Sequence, residues 1–147
     1  HPLLSGLGVE PLSDEFTDSV LASLMKGRTT PIKSALLNQR LIAGLGNIYV
    51  SEALFRAGIS PRRKAGTIAG QRANRLTEAI KVVLREAINA GGTSLRNHIQ
   101  PGGEIGYFVQ NLRVYGQAGQ PCVDCGQGIT KIIQSGRSSF YCSSCQR

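Results

Sequence analysis

The stretch Gly44-Leu45-Gly46-Asn47, followed by Ile48 to Ala57 and closed by Gly58, decides how this chain is read. Two glycines on either side of one apolar residue make a tight turn. The ten residues after it carry apolar side chains at helical spacing, and Gly58 is the usual left-handed stop. Upstream, Thr30-Pro31 puts a cap before a proline at the first helical position, so a short helix carrying Ile32, Ala35 and Leu36 should end near Gln39. Two helices therefore flank a compact glycine turn.

Working outward, Ser13 is a suitable N-cap for a helix over 14–26, with Phe16, Val20, Leu21 and Leu24 on one face and acidic residues in the first turn. Thr67 opens the longest helix, about 23 residues, on which Leu76, Ile80, Val83, Leu84, Ala87 and Ile88 form an apolar stripe up to Gly91-Gly92. Periodicity is lost from Thr93 to Gly106, which reads as a long functional loop. Short alternating stretches follow at Leu112 to Tyr115, Thr130 to Ile133 and Ser138 to Tyr141, and these predict strands of a small β unit. The fold class is mainly α, with a helical domain over 1–106 and a β-hairpin unit over 107–147.

The 147 residues carry a net charge of +8, yet Glu10, Asp14, Glu15 and Asp18 are the only charged residues among the first 25. The remainder therefore carries +12. Such polarity suits a polyanionic partner, of which nucleic acid is the commonest. Apolar runs such as Ala53 to Phe55 are far shorter than the roughly 20 residues of a membrane span. The start His1-Pro2-Leu3-Leu4 has neither a basic nor a long apolar export segment, so a soluble, cytoplasmic protein is expected.

All four cysteines lie in the last 26 residues, as Cys122-Val123-Asp124-Cys125 and Cys142-Ser143-Ser144-Cys145, with 16 residues between the pairs. Two such knuckles at the ends of a hairpin converge four thiolates on one zinc ion. Two disulfides are the alternative, opposed by a reducing compartment and by a unit too small to fold without a staple. Thiol redox chemistry is disfavoured because neither pair opens a helix, and a rubredoxin-like iron site would leave the helical domain idle. All four ligands come from the protein, so the zinc should be structural.

Three segments together resemble bacterial formamidopyrimidine-DNA glycosylases. They are Ile32-Lys33 through Gly44-Leu45-Gly46-Asn47-Ile48-Tyr49 to Glu52-Ala53-Leu54-Phe55; Gly91-Gly92-Thr93-Ser94-Leu95-Arg96; and Val114-Tyr115-Gly116 through the cysteines to Ser135-Gly136-Arg137-Ser138-Ser139-Phe140-Tyr141. The resemblance implies a helix-two-turn-helix domain followed by a zinc finger. It also implies duplex DNA with oxidised purines (8-oxoguanine, formamidopyrimidines) or abasic sites as the partner, and a monomer. It assigns phosphate contacts to Arg28, Lys33 and Asn47, and to Arg137 a phosphate contact with help to δ-elimination. The loop 94–106 matches the element that closes over the extruded base.

The family's nucleophile is an N-terminal proline followed by glutamate. Here Pro2 is acylated by His1 and followed by Leu3, so this chain is expected to bind DNA without excising bases, its catalytic N-terminal domain being absent. Gln117, Asn38 and Asn97-His98 depart from the family's usual residues, which leaves local contacts and damage preference open. The C-terminal half of an endonuclease VIII relative and a non-catalytic zinc-containing DNA-binding protein are the rival readings. Arg62-Arg63-Lys64 reads as a solvated face, and Tyr49, Phe55 and Ile59 as core.

Overall fold

The computed structural model describes residues 7–91 and 111–147. Pro2, the segment Gly92 to Arg96, the loop 94–106 and the Asn97-His98 pair lie outside the described residues. Four helices, α1 (Asp18–Met25), α2 (Ile32–Leu36), α3 (Asn47–Ala57) and α4 (Gly70–Gly91), precede an antiparallel hairpin of β1 (Thr130–Gln134) and β2 (Arg137–Tyr141). This is the mainly α architecture with a small hairpin unit that the sequence predicts. None of the described helices is long and apolar enough to cross a membrane.

Helix α1 starts four residues later than expected. Ser13 does not cap it. Its hydroxyl donates to the Glu10 carbonyl at 2.7 Å, and the 10–16 segment is spent on turns that drop Phe16 into the core. Thr17 is the cap, its hydroxyl accepting the Val20 N–H at 3.2 Å. Helix α4 likewise opens at Gly70 rather than Thr67, because the Thr67 hydroxyl turns back to the Lys64 carbonyl and closes a 3-10 turn over Ala65–Thr67. Its stripe is as expected, with Leu76, Ile80, Val83, Leu84 and Ala87 buried and Ile88 half-buried.

The turn before α3 is held by Gln39, whose amide oxygen accepts the Gly44 N–H at 2.6 Å and whose nitrogen donates to the Leu37 and Leu45 carbonyls. Gly44 sits at φ +84, a left-handed conformation that other residues adopt at a cost. Gly58 ends α3 at φ +72, as expected.

Helix α3 belongs to two cores at once. Tyr49, Val50, Ala53 and Leu54 join Leu21, Leu36, Ile59, Leu76 and Val83 in the helical core. Phe55 instead packs with Val114, Cys122, Ile129, Phe140 and Cys142 in the finger. The core assignments of Tyr49, Phe55 and Ile59 are borne out.

The expected strand at Leu112 to Tyr115 is not formed. The N–H groups of Arg113, Val114 and Tyr115, which a strand would give to a neighbour, all donate to the buried carboxylate of Glu52 at 2.8, 3.0 and 2.9 Å. The other two strands are present, each one residue longer at the tip. Ser135 (φ +51) and Gly136 (φ +78) make the two-residue turn between them, which leaves Arg137 as the first residue of β2.

Candidate metal centre and nucleic-acid interface

Ordinary turn chemistry places the four cysteines. The Gly126 N–H donates to the Cys122 carbonyl at 2.8 Å and the Gln146 N–H to the Cys142 carbonyl at 2.9 Å, so each knuckle folds back on itself. The four sulfurs lie within 4.8 Å of one another, with Cys122–Cys145 at 3.9 Å and Cys125–Cys142 at 3.5 Å. Tetrahedral sulfurs about 2.3 Å from a zinc ion stand roughly 3.8 Å apart, whereas a disulfide needs about 2.05 Å. All four are free thiols at zinc-ligand spacing, which excludes the disulfide alternative.

With protons alone to share, the sulfurs compete. The Gln127 backbone amide pulls the Cys125 thiol down to about 7, while hydrogen bonding to Cys125 and burial push Cys145 up to about 12. A bound dication removes this competition by favouring four thiolates together. The set is closed and carries one structural zinc.

The finger docks on the helical unit through polar groups that converge on one backbone carbonyl. Lys33, from α2, is 1% exposed, and its ammonium donates to the Ser138 carbonyl at 2.9 Å and the Ser139 hydroxyl at 2.6 Å. Asn47, the first residue of α3, donates to the same Ser138 carbonyl at 3.0 Å. The Asn47 amide oxygen is buried without a hydrogen-bond donor among the described residues. The Ser139 hydroxyl donates to the Gln134 amide oxygen at 2.5 Å, and the Gln134 amide nitrogen donates to the Pro61 carbonyl at 3.3 Å. Burial, followed by the nearby Arg137 charge, lowers the Lys33 ammonium to about 8.

Beside this junction lies a cleft of about 240 Å³, lined by Lys33, Ser34, Asn38, Gln134, Ser135 and Arg137 among others. Its lining comes from α2 and the residues just after it on one side and from the hairpin on the other. Gly46, with no side chain, leaves the N-terminal turn of α3 without a side-chain cap, and such a turn directs N–H groups outward. The structure thus brings Lys33, Asn47 and Arg137 together. It does not bring Arg28 to that cleft: Arg28 is exposed on another turn, its guanidinium donating to the Leu24 carbonyl at 2.8 Å.

Sequence reasoning missed Glu52, Gln134, Ser138 and Ser139. Glu52 alone left a signal, as a charged residue in the middle of a helix whose neighbours from Val50 to Phe55 are all apolar or small.

Comparison with known proteins agrees with this geometry. Residues 7–98 match the formamidopyrimidine-DNA glycosylase H2TH domain, and residues 119–147 match the zinc finger found in FPG and IleRS. The formamidopyrimidine-DNA glycosylase of Beijerinckia indica is 56% identical over 155 residues, covering 100% of this chain and 54% of that protein. That of a Ruegeria strain is 58% identical over 149 residues, covering 100% and 53%.

Among solved structures, the MutM (Fpg) protein of Thermus thermophilus has a TM-score of 0.84 at 41% identity, covering 99% of this chain and 55% of that one. A Lactococcus lactis Fpg bound to DNA containing an abasic site has a TM-score of 0.85 at 34% identity, covering 99% and 53%. A MutM bound to DNA containing carbocyclic 8-oxo-G has a TM-score of 0.86 at 36% identity, again covering 99% and 53%. The chain spans about half the length of these relatives. Turn, junction and four-cysteine centre, in this order along a chain that matches over its whole length, make it a member of the formamidopyrimidine-DNA glycosylase family, carrying that family's H2TH domain and zinc finger.

Proposed function

We propose that these residues form the DNA-gripping half of a base-excision-repair glycosylase and AP lyase for oxidised purines, and that they bind damaged duplex DNA. The observation that carries this reading is the double grip of Lys33 and Asn47 on the Ser138 carbonyl, which ties the glycine turn to the hairpin next to Arg137, while Lys33 and Arg137 share one cleft. Phosphate is the group that suits it. The uncapped α3 terminus offers N–H groups, the Lys33 ammonium has a third proton beyond its two protein acceptors, and the Arg137 fork binds an anion bidentately. Arg28, exposed and held by Leu24, takes a neighbouring phosphate. In the whole protein Arg137 is also the residue proposed to assist δ-elimination, as a permanent positive charge beside the departing phosphate rather than as a proton donor. Two relatives whose structures hold DNA with an abasic site or carbocyclic 8-oxo-G support the choice of substrate.

The test is a binding titration of the chain on duplex carrying 8-oxoguanine at several salt concentrations, beside a borohydride trapping assay. Salt-sensitive binding and no covalent adduct are expected, because Pro2 follows His1 and its nitrogen is an amide. Arg137→Ala should weaken binding and reduce the slope of log affinity against log salt by about 0.9, one phosphate contact, with zinc content unchanged. No salt-sensitive binding would overturn the DNA reading, and an adduct requiring Pro2 would overturn the reading of its nitrogen as an unreactive amide. An unchanged slope would return Arg137 to the solvated surface.

A further inference from the structure

A second cleft, about 470 Å³, opens where the end of the finger meets the segment after α3. Ser60, Arg62, Arg63 and Lys64 supply one wall, and Tyr141 and Arg147 lie on the finger side. Backbone exchange between the two units builds it. The Arg147 N–H donates to the Gly58 oxygen at 3.0 Å, and the Ser60 N–H to the Arg147 oxygen at 3.1 Å. The Arg63 guanidinium is oriented by the Arg147 backbone oxygen at 3.0 Å and the Thr67 hydroxyl at 3.2 Å, which leaves its far edge unused by these partners. Arg62 and Lys64 are exposed.

Among the described residues no Asp or Glu side chain lines the cleft or pairs with its cations, and Arg63 is held by an oxygen of the last residue, Arg147. Burial, and then the charge of Arg72 outside the cleft, lower the Arg63 guanidinium below its ordinary range. An ordinary solvated face scatters its charges and their counter-charges. Here they are gathered in a concavity with one guanidinium already aimed.

We propose that this cleft is a second phosphate-binding site, which holds the backbone of the duplex flanking the lesion. The inference rests on the DNA-binding reading above and adds to it a site away from the Lys33–Arg137 cleft. Continuity argues for the same duplex as occupant. Gln134 lines the first cleft and donates to the carbonyl of Pro61, the residue that leads into Arg62, so the two clefts meet at that hydrogen bond. Duplex DNA carries a charge every 3.4 Å or so along each strand, and a partner that continues past the first cleft meets the second with phosphates still to neutralise. Half of the second cleft is finger, so it forms only while the zinc knuckles are folded.

The test uses the chain with Arg62→Glu and Lys64→Glu on a duplex three helical turns long, beside a control with the same charge reversal on the exposed face of α4, Arg75→Glu and Arg85→Glu. Expected is a loss of roughly tenfold in affinity for the cleft variant, with a salt slope lower by up to about 1.8 for two contacts, and a much smaller loss for the control. Zinc content and circular dichroism verify the fold, and the milder Arg62→Gln, Lys64→Gln pair replaces the reversal if that fails to fold. Unchanged affinity and slope in the cleft variant would overturn the proposal. An equal loss in both variants would overturn it too, showing only a long-range field. Loss of poly-glutamate binding with DNA binding intact would assign the cleft to an acidic protein instead. Failure of the unaltered chain to bind the duplex would sink the DNA reading itself and this inference with it.

Discussion

Lys33 shows how far a residue's type is from its duty. A lysine two residues after Pro31 reads as a surface cation, and the resemblance assigns it a phosphate. In the structure its stem crosses the junction and its ammonium is committed to Ser138 and Ser139 of the finger. The charge is held at a cost, since burial and Arg137 lower its proton affinity from 10.5 to about 8. The sign of the consequence follows. Between pH 8 and 10.5 the unfolded chain holds this proton more firmly than the folded one, so raising the pH through that window relieves the burial penalty and stabilises the fold. Lys33→Met keeps a similar length and has no proton to lose. Denaturant titrations across the window should therefore show the wild type gaining stability relative to the variant as pH rises. A constant difference would mean that Lys33 keeps an ordinary proton affinity. The phosphate contact through its third proton should weaken over the same range, as the charge is lost.

At the scale of elements, Glu52 is the device that joins the segment leading into the finger to a helix of the helical unit. It stands on α3 and receives three consecutive backbone N–H groups, from Arg113 to Tyr115, where the chain returns toward the finger. Glu52→Gln keeps the shape but turns one of the two acceptors into a donor, and the amide settles with its oxygen on the N–H groups of Val114 and Tyr115 and its nitrogen against that of Arg113. Each buried group left unsatisfied costs about 1–3 kcal/mol, so a loss of about 2 kcal/mol or more is expected. Hydrogen exchange should locate it: the Arg113 amide loses protection while the zinc knuckles keep theirs. Unchanged protection would mean that apolar packing of Val114 alone holds the return.

Much of this level was legible beforehand. The stripe of α4, the stop at Gly58, the hairpin strands and the cysteine knuckles all follow from spacing, because each is set by local periodicity or by one special residue. The starts of α1 and α4 were not, since Ser13 and Thr67 are good caps whose hydroxyls the tertiary structure spends on preceding carbonyls. The false strand at Leu112 to Tyr115 failed for a related reason: alternation shows which side chains are buried and cannot show that a glutamate 61 to 63 residues earlier takes the N–H groups. The convergence on Ser138 was invisible, because the acceptor is a backbone carbonyl common to every residue.

For the whole molecule the question is whether helical unit and finger stand or fall together. The helical core is large and self-contained, built on Leu21, Leu36, Leu54, Leu76 and Val83 with many others. Among the described residues the finger core has six buried members, two of them cysteines and one, Phe55, borrowed from α3. So few apolar side chains cannot offset the entropy of ordering the finger, and the metal must supply the difference. Stripping zinc with a chelator should therefore melt the finger alone, leaving most of the helical circular dichroism. It should also lower the helical unit's melting temperature, because Phe55 and Glu52 would lose their cover and their partners. DNA binding should fall further than Arg137→Ala makes it fall, since Ser138 would no longer be there for Lys33 and Asn47 to hold. Returning zinc should restore binding. If chelation instead abolishes the helical signal in one cooperative step, α3 is too deeply shared for the units to be separable. If binding survives with the finger melted, the glycine turn grips DNA by itself and the Lys33–Asn47–Ser138 junction is not what organises the interface.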